Sequence, residues 1–430
     1  MQDREAREDA LIEEEAGLDE LAAPAPDENP NEQGYYQHES LETNRGEHPS
    51  GETQDQQRPS ESISKWLTQL YIISYLIFFS IFGVLARIGL QALTVYPGAL
   101  IANTDLWANF AGSLLMGMLR EDRMLFRRHW RQELENAHRV VSNSSEDIDE
   151  EAKPEKLNET ARKSYATAKG GIPAYIGLTV GFCGSFTSFA SICRDAFLAI
   201  SNNLNTTVIS TSVSTSSYRA RPAGDSVMAV LAVLILEVGL SIVALNCGAH
   251  LATFLARPAE QIPVWNLSRI MNPLFVLLGP GCWLGAVLLT IWPVHNAWRG
   301  QVLFALVFAP VGCLMRFQLS VHLNKVVRSF PLGTFSANVF GTCVLGMAYD
   351  LQMSSVGGAI VSCQVLQGIM DGFCGALTTV STWVLELDTL RLRHAYVYGL
   401  CSLFIGVGFI TAIMGSLRWT SGFQGATCVK

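Results

Sequence analysis

The sequence predicts an all-α membrane protein with nine transmembrane helices. They form two inverted four-helix repeats joined by one linker helix, behind a disordered acidic N-terminal tail. Three observations lead there. The 430 residues are 49% hydrophobic and only 16% charged, against about a quarter charged in an average soluble chain. Nine apolar segments follow Lys65, each near the ~20 residues that cross ~30 Å of hydrocarbon. Three short motifs occur twice, in the same order.

The elements follow in chain order. Residues 1–65 hold 18 acids and five bases, and their Glu, Gln, Pro and Ser cannot bury enough apolar surface to offset chain entropy. The rest holds 20 acids and 25 bases, with no concentrated basic stripe, which excludes nucleic acid as the partner. The apolar segments are 70–93, 102–119, 172–200, 226–254, 271–293, 301–323, 332–351, 358–385 and 396–417. Inside lipid the backbone must satisfy its own hydrogen bonds, so each is expected to be helical. The expected division is a first repeat over 66–256 with a polar insertion at 120–170, a linker helix within 257–298, a second repeat over 299–420, and a tail at 421–430. Lys and Arg crowd the loop after the second span, from Arg120 to Lys169, and recur at Arg257, Arg269, Lys325, Arg328, Arg391 and Arg393. The positive-inside rule then puts the N-terminus in the cytoplasm and the C-terminus outside. Of the glycosylation sequons, Asn205 lies outside, while Asn143, Asn158 and Asn266 lie inside.

The repeat is read from three pairs. Gly83-Val-Leu-Ala-Arg87 matches Gly312-Cys-Leu-Met-Arg316. Ala108-Asn109-Phe-Ala-Gly112 matches Ala337-Asn338-Val-Phe-Gly341. Gly181-Phe-Cys-Gly184-Ser-Phe-Thr187-Ser188 matches Gly372-Phe-Cys-Gly375-Ala-Leu-Thr378-Thr379. In each half, 22 residues separate the arginine from the asparagine. Four spans plus one linker is odd, so the second repeat enters the membrane from the opposite side. Inverted repeats commonly form a site near the midplane between their halves.

No P-loop, GxSxG or HExxH occurs and no Cys pair has zinc spacing, so an enzyme is not expected. The duplicated residues have physical readings of their own. A mid-span asparagine (Asn109, Asn338) is either helix–helix glue or a neutral donor to an anion. A mid-span arginine (Arg87, Arg316) needs a partner or a wet cavity, and either attracts anions at a vestibule or anchors the fold. Glycines and hydroxyls at the centre of the third span weaken the helix there, and also suit close packing.

The ordered, duplicated set closely resembles the fluoride channel (fluoride exporter) family, in its eukaryotic form of two units fused through one extra helix. The resemblance covers roughly residues 70–420. It implies passive efflux of fluoride across the plasma membrane, giving fluoride resistance, by a single fused pseudo-dimer whose partners are fluoride and membrane lipid. It implies a pore lined by Asn109, Asn338, Phe189, Trp383, Ser188, Thr379 and Thr334. It also implies a structural, central Na+ held by the backbone carbonyls of Gly184, Thr187, Gly375 and Thr378. The sequence departs from the family at the paired phenylalanines: one half has Phe189 and Ile192, the other Val380 and Trp383. Pairing across the halves joins Phe189 to Trp383 and leaves Ile192 with Val380. Ring edges carry partial positive charge and contact anions; aliphatic groups do not. One working and one vestigial pore are therefore expected. Asp105, where the other half has Thr334, adds to the asymmetry. The rival reading is a proton-coupled secondary anion transporter using Glu237 or Asp371; a receptor-like membrane scaffold is a more distant one.

Overall fold

The computed structural model describes residues 65–94, 105–122, 164–204, 222–255, 267–295, 298–354 and 360–423, with single positions at 136 and 161. The acidic tail up to residue 64, most of the 120–170 insertion, the sequons at Asn143, Asn158, Asn205 and Asn266, and residues 424–430 lie outside the described residues. Among the described residues the regular elements are all helical. Helix α1 is Lys65–Thr94 and α2 is Leu106–Glu121. Helix α3 starts at Pro173–Ile176, widens into a π-helix over Gly177–Cys183 and ends with Gly184–Phe186; α4 is Phe189–Ile200. Helices α5 and α6 are Ala223–Leu255 and Leu267–Ile291. Helix α7 joins a π-helix at Arg299–Leu303 to Phe304–Leu323, and α8 is Leu332–Met353. Helix α9 runs from Ile360–Gly368 through a π-helix at Ile369–Cys374 to Gly375–Leu377; α10 is Ser381–Thr389 and α11 is Leu392–Thr420.

Among the described residues, seven stretches are long and apolar enough to cross a membrane: α1, α3 with α4, α5, α6, α7, α9 with α10, and α11. With 16 residues α2 is short, and α8 carries Thr334, Asn338, Thr342, Asp350 and Gln352; neither joins that set. The apolar windows of α5, α6 and α11 are only 22%, 11% and 28% buried. Apolar faces of that extent suit lipid and not water. The chain is an all-α, multi-pass membrane protein.

The expected third span, 172–200, is interrupted rather than continuous. Thr187 and Thr378 both leave the helix for extended backbone, at ψ 153°. The break has a side-chain cause. Asn109 Oδ1 accepts the amide of Ser188 at 2.9 Å, and Asn338 Oδ1 accepts that of Thr379 at 2.8 Å. Each asparagine takes the hydrogen that would otherwise close a helical turn. Glycines set the depth of packing beside the breaks. A Cβ on Gly177 would lie 2.8 Å from the Phe79 ring, and one on Gly181 2.9 Å from Phe79 Cβ. Two large apolar cores result, beside a small cluster of Ala196, Ala199 and Val233. One joins α1, α3 and α7 through Leu76, Val84, Val180, Ala309 and Phe317; the other contains Phe189, Ile192, Val380, Trp383 and Tyr398. Helix α6 lies against α1 and α7. Phe275 stacks on Tyr75 at 4.2 Å, and Trp283 Nε1 donates to Val307 O at 2.9 Å. At the end of α2, Lys169 Nζ donates to the carbonyls of Leu119 and Arg120, which the helix cannot satisfy itself.

Candidate functional site

The two breaks meet. Thr187 Oγ1 accepts from the amides of Val380 and Ser381, both at 3.1 Å, and lies 3.2 Å from Thr379 Oγ1. In return, Thr378 Oγ1 accepts from the amide of Ala190 at 3.2 Å and lies 3.2 Å from Ser188 Oγ. The motif hydroxyls of each half thus cap the backbone of the other, and all are buried. Ser188 and Thr379, expected to line a pore, both belong to this network.

Both arginines are buried and cross between the motif sets. Arg87 donates to the carbonyls of Gly375, at 2.9 Å, and Asp371. Arg316 Nη2 donates to Val180 O at 2.6 Å, and its guanidinium lies against Gly184, where a Cβ would overlap it. Arg316 Nε and Nη1 have no partner among the described residues. Each guanidinium therefore touches the opposite break.

The carbonyls of Gly184, Thr187, Gly375 and Thr378 are oxygen donors, the type a hard cation prefers. The amides that would close helical turns onto them are directed to side chains. Ser188 and Thr379 donate to the asparagines, Ser191 to Ser188 Oγ at 3.4 Å, and Thr382 to Thr379 Oγ1 at 3.4 Å. Arg87 uses one lone pair of the Gly375 oxygen.

Beyond the breaks the two sides differ. Phe189 and Trp383 come together, ring centroids 5.3 Å apart at 66°, both fully buried. Ile192 and Val380 are equally buried and aliphatic. Thr334 Oγ1 donates to Glu386 Oε1 at 2.6 Å, and Tyr398 OH to Glu386 Oε2 at 2.7 Å. Asn338 Nδ2 donates to the neutral carbonyl of Thr379 at 3.2 Å. In the first half, Asn109 Nδ2 donates to the carboxylate of Glu237 at 3.0 Å. Asp105 bonds Gln91 and lies 3.8 Å from Arg194, which pairs with Asp195 at 2.9 Å. Sequence reasoning missed Glu386, Tyr398, Arg194 and Asp195. The available signal was an acid three residues after Ile192 in one half and after Trp383 in the other. An intramembrane acid is a functional candidate by default.

The profile of the CrcB-like protein family (Camphor Resistance, CrcB) matches residues 74–249 and 303–416. The chain belongs to the CrcB-like family. Relatives of this CrcB-like chain include "Fluoride export protein 1" of Neurospora crassa, 51% identical over 385 residues, covering 86% of this chain and 71% of the relative. The protein of that name from Candida albicans is 33% identical over 372 residues, 83% of each chain. The "Fluoride-specific ion channel FluC" of Geotalea daltonii is 39% identical over 92 residues, 21% of this chain and 70% of the relative. No solved structure matches.

Proposed function

We propose that this protein is a fluoride export channel of the plasma membrane with one conducting pathway, between Phe189 and Trp383. The observation that carries the proposal is that pair: two buried rings from distant parts of the chain, edge toward face at 5.3 Å. Anions approach ring edges, which carry partial positive charge, and neutral donors hold an ion loosely enough to release it. Thr334, Asn338 and Tyr398 extend the polar track of this pathway, and beside them the Ser402 hydroxyl donates to Tyr398 O at 2.7 Å.

The other side is the vestigial one. Ile192 and Val380 supply no ring, and the Asn109 amide is already bonded to Glu237. An anion there would have to displace the Glu237 carboxylate and pass Asp105 and Asp195, whereas on the Trp383 side the acid, Glu386, already accepts from Thr334 and Tyr398.

The architecture is nine crossings in two inverted four-helix repeats, with α6 as the linker. Matching contacts in the two motif sets support it: Thr187 and Thr378 each accept amides from the opposite motif, Arg87 and Arg316 each reach a carbonyl of the opposite half, and Asn109 and Asn338 each accept the amide that follows the motif threonine. The FluC relative supports it too, since 92 residues make up most of that chain and only a fifth of this one. The N-terminus is cytoplasmic and the C-terminus extracellular. Gly184, Thr187, Gly375 and Thr378 would hold a structural Na+, which would supply positive charge at the seam. Conduction is passive: an inside-negative potential drives an anion outward by about 2.3 kcal/mol per 100 mV.

Purified protein in liposomes tests this reading. Fluoride should leave down its gradient with no proton requirement, and chloride should be retained. Strict coupling to protons would replace the channel with a secondary transporter.

A further inference from the structure

Trp383 carries a donor that nothing among the described residues uses. Its side chain is fully buried, yet its Nε1 has no hydrogen-bond partner among the described residues. Indole offers a donor and no acceptor, and a buried tryptophan N–H ordinarily finds a partner. Leaving one unpaired is costly, and each such group needs an explanation. The acceptors of the same pathway are engaged elsewhere. Both oxygens of Glu386, one turn further along α10, are held by Thr334 and Tyr398. Asn338 Oδ1 is taken by the Thr379 amide. On the α11 side stands Gly399, whose Cβ position lies 3.9 Å from Trp383 Cζ2, so no larger side chain covers the ring there.

We infer that the indole N–H of Trp383 is a direct hydrogen-bond donor to the permeating fluoride, sharing the ion with the Phe189 ring. This rests on the proposed Phe189–Trp383 pathway and adds a specific role within it. An N–H directs its proton to one point, whereas a ring edge offers only diffuse partial charge. A hydrogen bond to an ionised acceptor is roughly twice as strong as a neutral one. Fluoride, small and of high charge density, gains more from it than chloride does. The donor is itself uncharged, so it compensates dehydration without trapping the ion. An empty pathway leaves the N–H unpaired, and an arriving anion relieves that, which favours entry.

Two measurements on the full chain test the inference. In liposome efflux, Trp383→Phe keeps an aromatic edge but loses the donor. Fluoride efflux is expected to fall about tenfold, which corresponds to ~1.4 kcal/mol of lost interaction, while Trp383→Ala falls to background. In the unsubstituted protein with 15N-labelled tryptophan in lipid nanodiscs, the indole resonance missing from Trp383→Phe identifies residue 383. Fluoride should move its proton shift downfield, and equal chloride should not. An unchanged efflux rate in Trp383→Phe, or an indole resonance that fluoride leaves in place, overturns the inference. A Trp383→Ala chain that still conducts at full rate instead overturns the pathway itself, so the two failures are distinguishable.

Discussion

Replacing the Phe189 ring while keeping an apolar side chain isolates what that ring does for an ion. Phe189→Leu removes the ring edge facing Trp383 and leaves most of the packing volume. Weak C–H donors to neutral oxygen are worth about 0.5–1 kcal/mol, and an ionised acceptor roughly doubles such a contact. In the proposed pathway the ring then contributes ~1–2 kcal/mol to holding a partly dehydrated anion. A loss of that size slows passage about 5–30-fold. The assay is fluoride release from liposomes, followed with a fluoride electrode after the membrane potential is collapsed. Ile192→Ala and Val380→Ala are the controls. Both residues are as buried as Phe189 and lie in the same core. Truncating a buried isoleucine costs about 2–5 kcal/mol of stability, at least as much as the leucine substitution. A rate loss seen only at Phe189 therefore cannot come from unfolding. Equal losses at all three positions, or none at Phe189, would refute the single-pathway argument.

Other perturbations follow from the seam. Thr187→Val leaves the amides of Val380 and Ser381 without their acceptor; at about 1–3 kcal/mol for each orphaned donor, the variant should unfold at a clearly lower temperature in a detergent melt. Arg87→Met should destabilise more than Arg316→Met, by about 1.5–3 kcal/mol, because Arg87 makes one more charge-assisted bond to the opposite break; paired thermal melts decide the order. Replacing Na+ by a large organic cation should lower thermal stability if the four carbonyls hold the ion. The gain from a site filled at 100 times its dissociation constant is ~2.7 kcal/mol, and an unchanged melt would remove the cation from the account.

Several features were readable directly from the residues. The helical, membrane-spanning character followed from apolar run lengths. The pairing of Phe189 with Trp383 was implied by the family resemblance, in which each pathway takes one aromatic from each unit, and the rings do meet. The weakened centre of the third span followed from its glycines and hydroxyls, though not its form. A π-helix followed by a short helical turn and the extended pair Thr187–Ser188 depends on Asn109 reaching the Ser188 amide from another helix. Glu386 and Tyr398 were passed over because nothing in a single apolar span marks which polar side chains will share a partner. Glu237 was singled out only as a candidate proton carrier; its bond to Asn109 bridges 128 residues of sequence and is not marked in either span.

Local chemistry by itself determined what this chain is made of: apolar lengths that fit a bilayer, and motifs written twice. It determined this because solvation and hydrogen bonding in lipid constrain every segment separately. Only the tertiary structure decided how the two motif sets are used. Arg87 finds its acceptor on Gly375, 288 residues away, and which face of each helix turns inward depends on all its neighbours at once. The difference between the two sides is of that second kind: one amide bonded to a carboxylate, one indole without a partner among the described residues.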